Sequence, residues 1–228
     1  MPAASPWLLP VTLIAVAFLT ALNFTAAFWP FSAVTVMVKL PVFLIVSVPS
    51  GAMAQRLLLE ASIRQHPALE ALSPGCVNSV RVNAARGRGG RVRLIGACLK
   101  CGGQGAATDN FHTGGIAYPL ELASGRVSGP GRNNTDLGDY ARHPASGAYL
   151  PGFQVPFWPA LTACVYRAMD RVPGMGYVGW DIAVTPDGPE LIEGNWHWPG
   201  GNIIQFDGVG KYPLLRDCAG ETDEKHPH

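Results

Sequence analysis

The chain has 228 residues, a formal net charge of +1 and 14% charged residues, so it exerts no global pull on nucleic acid or an anionic membrane. Its five cysteines (Cys76, Cys98, Cys101, Cys164 and Cys218) are odd in number and irregularly spaced, which argues against a disulfide framework and fits a reducing, cytosolic setting. The length allows one large domain or two small ones. Lys39 is the only charged side chain in residues 1–55, and residues 56–228 carry the other 32 of 33 charges, which places a boundary near residue 55.

The first predicted element is an apolar leader over residues 1–55, expected to be helical. Residues 7–28 are long enough to cross a bilayer, for which about 20 apolar residues suffice. A second apolar run, 34–48, is shorter and contains Lys39. Three readings compete: a membrane anchor over residues 7–48, a secretory signal, and a segment foreign to the working protein, such as a misread start or a truncated gene would leave. A signal needs a basic n-region, yet no Lys or Arg precedes Lys39. Arg56 and Arg64 follow the second run and favour the cytoplasmic side for the rest.

Residues 56–215 read as a globular domain. A strand is expected over 56–63 and a short helix over 67–72. Pro67 suits the first helical turn, where its missing N–H costs little. Residues 77–85 and 91–98 are β runs joined by Arg86-Gly87-Arg88-Gly89-Gly90, a hairpin loop by composition. Its arginines, with Arg91 and Arg93, form either a solvated loop or a landing site for an anion. Cys98-Leu99-Lys100-Cys101 has redox or zinc spacing, but no second Cys/His pair follows and the motif ends a strand. Cys98 therefore reads as an ordinary strand residue. The glycine-rich stretch 102–107 is a common loop or a lid near phosphate. No P-loop is present, and a Rossmann fingerprint is also missing, which disfavours a nicotinamide dehydrogenase.

Residues 129–148 are polar and glycine-rich, and a surface excursion is expected with His143 exposed; a substrate contact is the alternative for His143. Over 158–172, Leu161, Cys164, Val165, Ala168, Met169 and Val172 recur at three- and four-residue steps and predict an amphipathic helix. Pro173-Gly174 stops it. Residues 179–195 read as two strands joined by a turn. A five-residue connection over 185–189 sets Asp181 opposite Glu193, and Asn195 shares their face. Two carboxylates held so close call for a cation between them, and hard oxygen ligands suit Mg2+. Flanking residues such as Trp180, Ile182, Leu191 and Ile192 are too apolar for unpaired charges. The alternative is a pair of solvated hairpin residues. Residues 216–228 form a polar tail, expected to be disordered at its end.

The ordered set of segments resembles the ATP-grasp superfamily, in its sugar-transfer-associated, glutamate-ligase-related branch. Those segments are Leu58-Leu59-Glu60 with the Arg64-Gln65-His66-Pro67 run, Asn78-Ser79-Val80-Arg81, Asp109-Asn110 with Gly114-Gly115, and Asp181 followed by Glu193-Gly194-Asn195. The resemblance spans residues 56–206. It implies an α+β fold with an antiparallel sheet and packed helices. It implies an ATP- and Mg2+-dependent ligase that joins a small-molecule carboxylate to an amine through an acyl phosphate. In that reading Asp181, Glu193 and Asn195 hold Mg2+, Glu60 and Arg81 contact the nucleotide, and Arg81, Asn78, Asp109 and Asn110 serve catalysis. No nucleic-acid partner is expected, and the setting is cytoplasmic, with a membrane contact through residues 7–48 if the leader is an anchor. The family's first lobe brings a lysine to the phosphates about fifty residues before the hinge acid, whereas Lys39 lies only 21 residues before Glu60. A truncated or degenerate domain without catalysis, serving as a membrane-tethered binding module, is therefore the second expectation.

Overall fold

The computed structural model describes residues 63–220, apart from 107, 137 and 198, and the backbone of strands within 36–57. Two compact units divide at Ile63. Among the described residues no helix is long and apolar enough to cross a membrane.

In the first unit β1 (Val36–Lys39), β2 (Phe43–Ser50) and β3 (Met53–Leu57) form an antiparallel sheet in that order. The helical expectation for the leader is corrected over these residues; residues 1–35 lie outside the described ones. The physical reason is side-chain branching. Val36, Val38, Ile45, Val46 and Val48 lose χ1 freedom in a helix and fit a pleated sheet. Pro41 and Pro49 each remove a donor that a helix would need.

The second unit is α+β, as the family resemblance implied. Its elements are α1 (Pro67–Glu70), β4 (Ser79–Arg86), β5 (Val92–Cys101), β6 (Ile116–Leu120), α2 (Trp158–Arg171), β7 (Tyr177–Thr185), β8 (Gly188–Asn195) and α3 (Tyr212–Ala219). The strands make one antiparallel sheet in the order β6-β5-β4-β7-β8. The two central strands set its two faces. Val80, Val82 and Ala84 of β4, with Val178, Trp180, Ile182 and Val184 of β7, enter the main core. Leu161, Val165, Ala168 and Met169 of α2 join them there, as the three- and four-residue spacing requires. The alternate residues, Ser79, Arg81 and Asn83 with Tyr177, Gly179 and Asp181, face the other way.

A smaller apolar cluster covers part of that second face. It comprises Ala85, Ile95, Cys98, Phe111, Ala117, Ile203, Ile204 and Cys218. Gly96 lets this layer close down, because a Cβ there would sit 2.9 Å from Ile204 Cδ1. Cys98 and Cys101 fall into different clusters, one on each face of the sheet.

His143 departs from the expectation of exposure. It is 1% exposed, and its Nε2 lies 2.7 Å from the Gly102 carbonyl oxygen. Most of the 129–148 segment is exposed, as expected, but it is tied to the sheet. The chain after β6 folds back through the bridges Leu120↔Val127, Ala117↔Arg132 and Gly131↔Tyr140 and delivers Val127, Leu150 and Val155 to the core. Glycine and polar residues in 129–148 thus serve tight backbone pairing, and His143 is carried inward with them.

Candidate functional site

The β7–β8 hairpin determines which side chains meet. Its turn is shorter than the five-residue connection expected, with Thr185 paired to Gly188 and only Pro186 and Asp187 between them. A bulge between Asp181 and Ile182 takes up the difference, because Ile182 pairs with Leu191 while Asp181 pairs with Glu193. Ile192 is the extra residue. Asp181 therefore does lie opposite Glu193, by a two-residue turn plus a bulge. Gly179 pairs with Asn195, which keeps Asn195 on the same face.

Asp181 is 3% exposed and is the centre of a charged network. Arg81 is its register partner across β4 and β7. Arg81 Nε donates to Asp181 Oδ1 at 2.7 Å, and a terminal guanidinium nitrogen donates to Oδ2 at 2.7 Å. Lys100 of β5 is 8% exposed, and its Nζ lies 3.2 Å from Asp181 Oδ1 and 3.6 Å from Asp109 Oδ1. Asp109 Oδ2 accepts from the Ser79 backbone N–H at 2.8 Å and the Ser79 hydroxyl at 2.5 Å. Two cations and two carboxylates thus share one face of the sheet. Burial alone would push the Asp181 carboxyl up, but the Arg81 hydrogen bonds and the charges of Lys100 and Arg81 outweigh it, so the net shift is below the usual carboxylate range. Burial would likewise lower Arg81, but its hydrogen bonds and attraction to Asp181 reverse the direction and raise it.

A backbone segment closes over this cluster. The Pro199 carbonyl accepts from Arg81 at 2.8 Å and from Asn83 Nδ2 at 2.9 Å. Asn83 Nδ2 also donates to the Tyr177 hydroxyl at 2.7 Å. Gly179 is required beneath it, because a Cβ there would come within 2.2 Å of the Pro199 oxygen. Gly200 has φ +72° and passes so close to Arg81 that a Cβ would lie 2.5 Å from the guanidinium.

The other anticipated residues are distributed as follows. Glu193 is exposed and accepts from Asn195 Nδ2 at 3.0 Å. Asn78 is fully buried, with its amide donating to the Leu69 carbonyl at 2.8 Å and accepting from Gly102 N–H at 3.2 Å. It holds α1, β4 and the end of β5 together and is a positioning residue. Asn110 is exposed, and its side chain caps the 3₁₀ turn Phe111–Thr113 through His112 N–H at 3.0 Å. Glu60 lies outside the described residues. Gly102, Gly103 and Gly115 serve close packing: a Cβ at Gly102 would meet Cys76 Sγ at 2.5 Å, and one at Gly115 the Asp109 carbonyl at 2.5 Å. That packing fixes the loop carrying Asp109.

Lys100, Asn83 and Tyr177 belong to the site although the motifs did not single them out. Lys100 carried a usable signal. It stands in the apolar strand Gly96-Ala97-Cys98-Leu99-Lys100, and a cation embedded there needs an anionic partner as much as Asp181 needs a cation.

The donor set fits a divalent cation. Asp181 Oδ2 accepts one hydrogen bond, from Arg81, and a carboxylate oxygen has two lone pairs. Glu193 adds a second carboxylate in register, and Asn195 spends its amide nitrogen on Glu193 and keeps its oxygen. No group of three His, Cys, Asp or Glu residues that could hold a metal alone occurs among the described residues. Two carboxylates completed by water and phosphate oxygens are the usual environment of Mg2+.

A family model described as sugar-transfer associated ATP-grasp matches residues 42–217. No curated protein matches the chain, and no solved structure does.

Proposed function

The chain belongs to the sugar-transfer-associated ATP-grasp family, and from that premise we propose that it is an ATP- and Mg2+-dependent ligase joining a carboxylate to an amine. The observation that carries this reading is the buried Arg81–Asp181–Lys100 network on the second face of the sheet, in register with Glu193 and Asn195.

In such chemistry the substrate carboxylate takes up the terminal phosphoryl group of ATP, and the amine then displaces phosphate from the acyl phosphate. Mg2+, when bound, neutralises charge on the phosphates. The chain's own residues supply position and field. Asp181, Glu193 and Asn195 hold the metal. Arg81 is locked against Asp181 by two hydrogen bonds, so its positive charge needs no reorganisation when anionic oxygens arrive. The Asp109–Asn110 loop, fixed by Ser79, borders the same face and contacts the acid or amine. Glu60 accepts a hydrogen bond from the nucleotide.

A second reading rests on one specific observation. Both oxygens of Asp181 are engaged by cations of the chain itself, so the network also suits a neutral structural cluster in a domain that has lost catalysis. Calorimetry of ATP binding to the full chain in detergent separates the two. The ligase reading expects Mg2+-dependent binding that Asp181→Asn abolishes. Absence of binding by the unaltered chain would leave the structural cluster as the reading.

A further inference from the structure

Lys100 has no role in the motifs discussed so far, yet among the described residues it is the one side chain that touches both carboxylates of the cluster. The two cations on Asp181 are held differently. Arg81 is a planar fork engaged at two points at 2.7 Å, with its remaining terminal nitrogen on the Pro199 carbonyl. Lys100 is a point charge on a flexible stem, at 3.2 Å from one carboxylate and 3.6 Å from the other. Asp109 cannot follow Asp181 if Asp181 changes partner, because Ser79 clamps its other oxygen twice. Ser79 is also the register partner of Lys100, so strand pairing keeps the Asp109 carboxylate beside the lysine.

We propose that Lys100 is a displaceable cation. Without nucleotide its ammonium neutralises Asp181. When metal and nucleotide load, the metal takes over Asp181, and Lys100, retained by Asp109, turns to an anionic phosphate oxygen. Charge accounting supports the exchange. Arg81, Lys100, Asp181 and Asp109 sum to zero, and Glu193 adds one negative charge at the rim. A divalent cation brought to Asp181 with Lys100 still against it would gather three cationic centres on one carboxylate. Moving the ammonium onto the phosphates relieves that repulsion and supplies a phosphate contact from the sheet. This rests on the nucleotide-binding reading above.

The test compares two ligands on the full chain in detergent: Mn2+ alone, counted by electron paramagnetic resonance, and a non-hydrolysable ATP analogue with saturating Mg2+, followed by calorimetry. Lys100→Met should tighten Mn2+ and weaken the nucleotide, each by about tenfold, the size of one well-placed charged contact. Lys100→Arg should restore most of the nucleotide affinity. A purely structural role would move both affinities in the same direction, and that result, or no change in either, overturns the proposal. A second measurement needs no substitution. In the unaltered chain the Lys100 Nζ resonance should shift with Mg2+ alone and shift again with the Mg2+–analogue complex; a resonance indifferent to both overturns the proposal. An unaltered chain that binds neither Mn2+ nor the analogue would instead overturn the ligase reading on which the exchange depends.

Discussion

Asp181 is buried between Trp180 and Ile182 on its own strand, and its charge survives because Arg81 and Lys100 are brought to it from two other strands. Removing one member of a buried pair leaves the other uncompensated. Arg81→Met should therefore cost about 3–5 kcal/mol of stability, read as a lowered denaturation midpoint. The pH dependence follows from two shifts. The Asp181 pKa is depressed on folding, so its contribution is complete above the ordinary carboxylate value and disappears as pH falls through the lowered one. The His143 pKa is also lowered, because burial outweighs the Gly102 hydrogen bond. The unfolded chain then binds the proton more readily, and the His143 contribution is full above about pH 6.5 and lost as pH falls through the folded value. Denaturation midpoints measured from pH 8 to pH 3 should decline first below about pH 6.5 and again below about pH 4. His143→Gln should flatten the first decline, and Asp181→Asn the second. The charge on Asp181 could be read from sequence because an acid amid apolar strand residues demands a partner. Which cation answers it could not, because Arg81 and Lys100 are 100 and 81 positions away in the chain.

The strands of the second unit work as two-faced elements. Cys98 and Cys101 are three residues apart, so alternation sends them to opposite faces, and they cannot share a metal or a disulfide without rebuilding β5. Burial pushes the Cys98 thiol up to about 12. Alkylation of the native chain at pH 8 should therefore label half-buried Cys164 first, and should reach Cys98 and Cys101 only on unfolding, as peptide mapping would show. The closing segment depends on two glycines. Gly179→Ala forces a Cβ against the Pro199 carbonyl and should destabilise by about 1–3 kcal/mol through overpacking. The same change should loosen Pro199 from Arg81 and alter nucleotide affinity more than an equal destabilisation elsewhere, such as Met169→Leu in the core under α2. The α2 helix was legible because its apolar spacing coincides with its buried face. The β7–β8 pairing was legible in its outcome, Asp181 opposite Glu193, but not in its cause. A two-residue turn with a bulge and a five-residue loop give the same pairing at that point, and only backbone geometry separates them.

At the scale of the whole molecule, the described core of the second unit runs from Leu69 to Cys218. A chain beginning at Arg64 should therefore unfold in one cooperative transition, with calorimetric and van't Hoff enthalpies that agree. The family match begins at residue 42, inside the three-stranded unit, so part of the apolar leader is family sequence. Composition had placed the boundary at residue 55 because charge changes there, whereas strand formation follows branched side chains, and these are more frequent before residue 55 than beyond it.

From the sequence alone came the apolar face of α2, and the carboxylates and amide that share one face of the hairpin. These are local properties: they depend on periods of two and of three to four residues and on neighbours within a turn. The tertiary structure alone decided that Lys100 stands between Asp181 and Asp109, that the Pro199 carbonyl rests on Arg81, and that His143 is drawn beneath the Gly102 loop. Those contacts arise from strand order and register across the sheet, where residues far apart in the chain compete for one place, and no local pattern encodes which of them arrives.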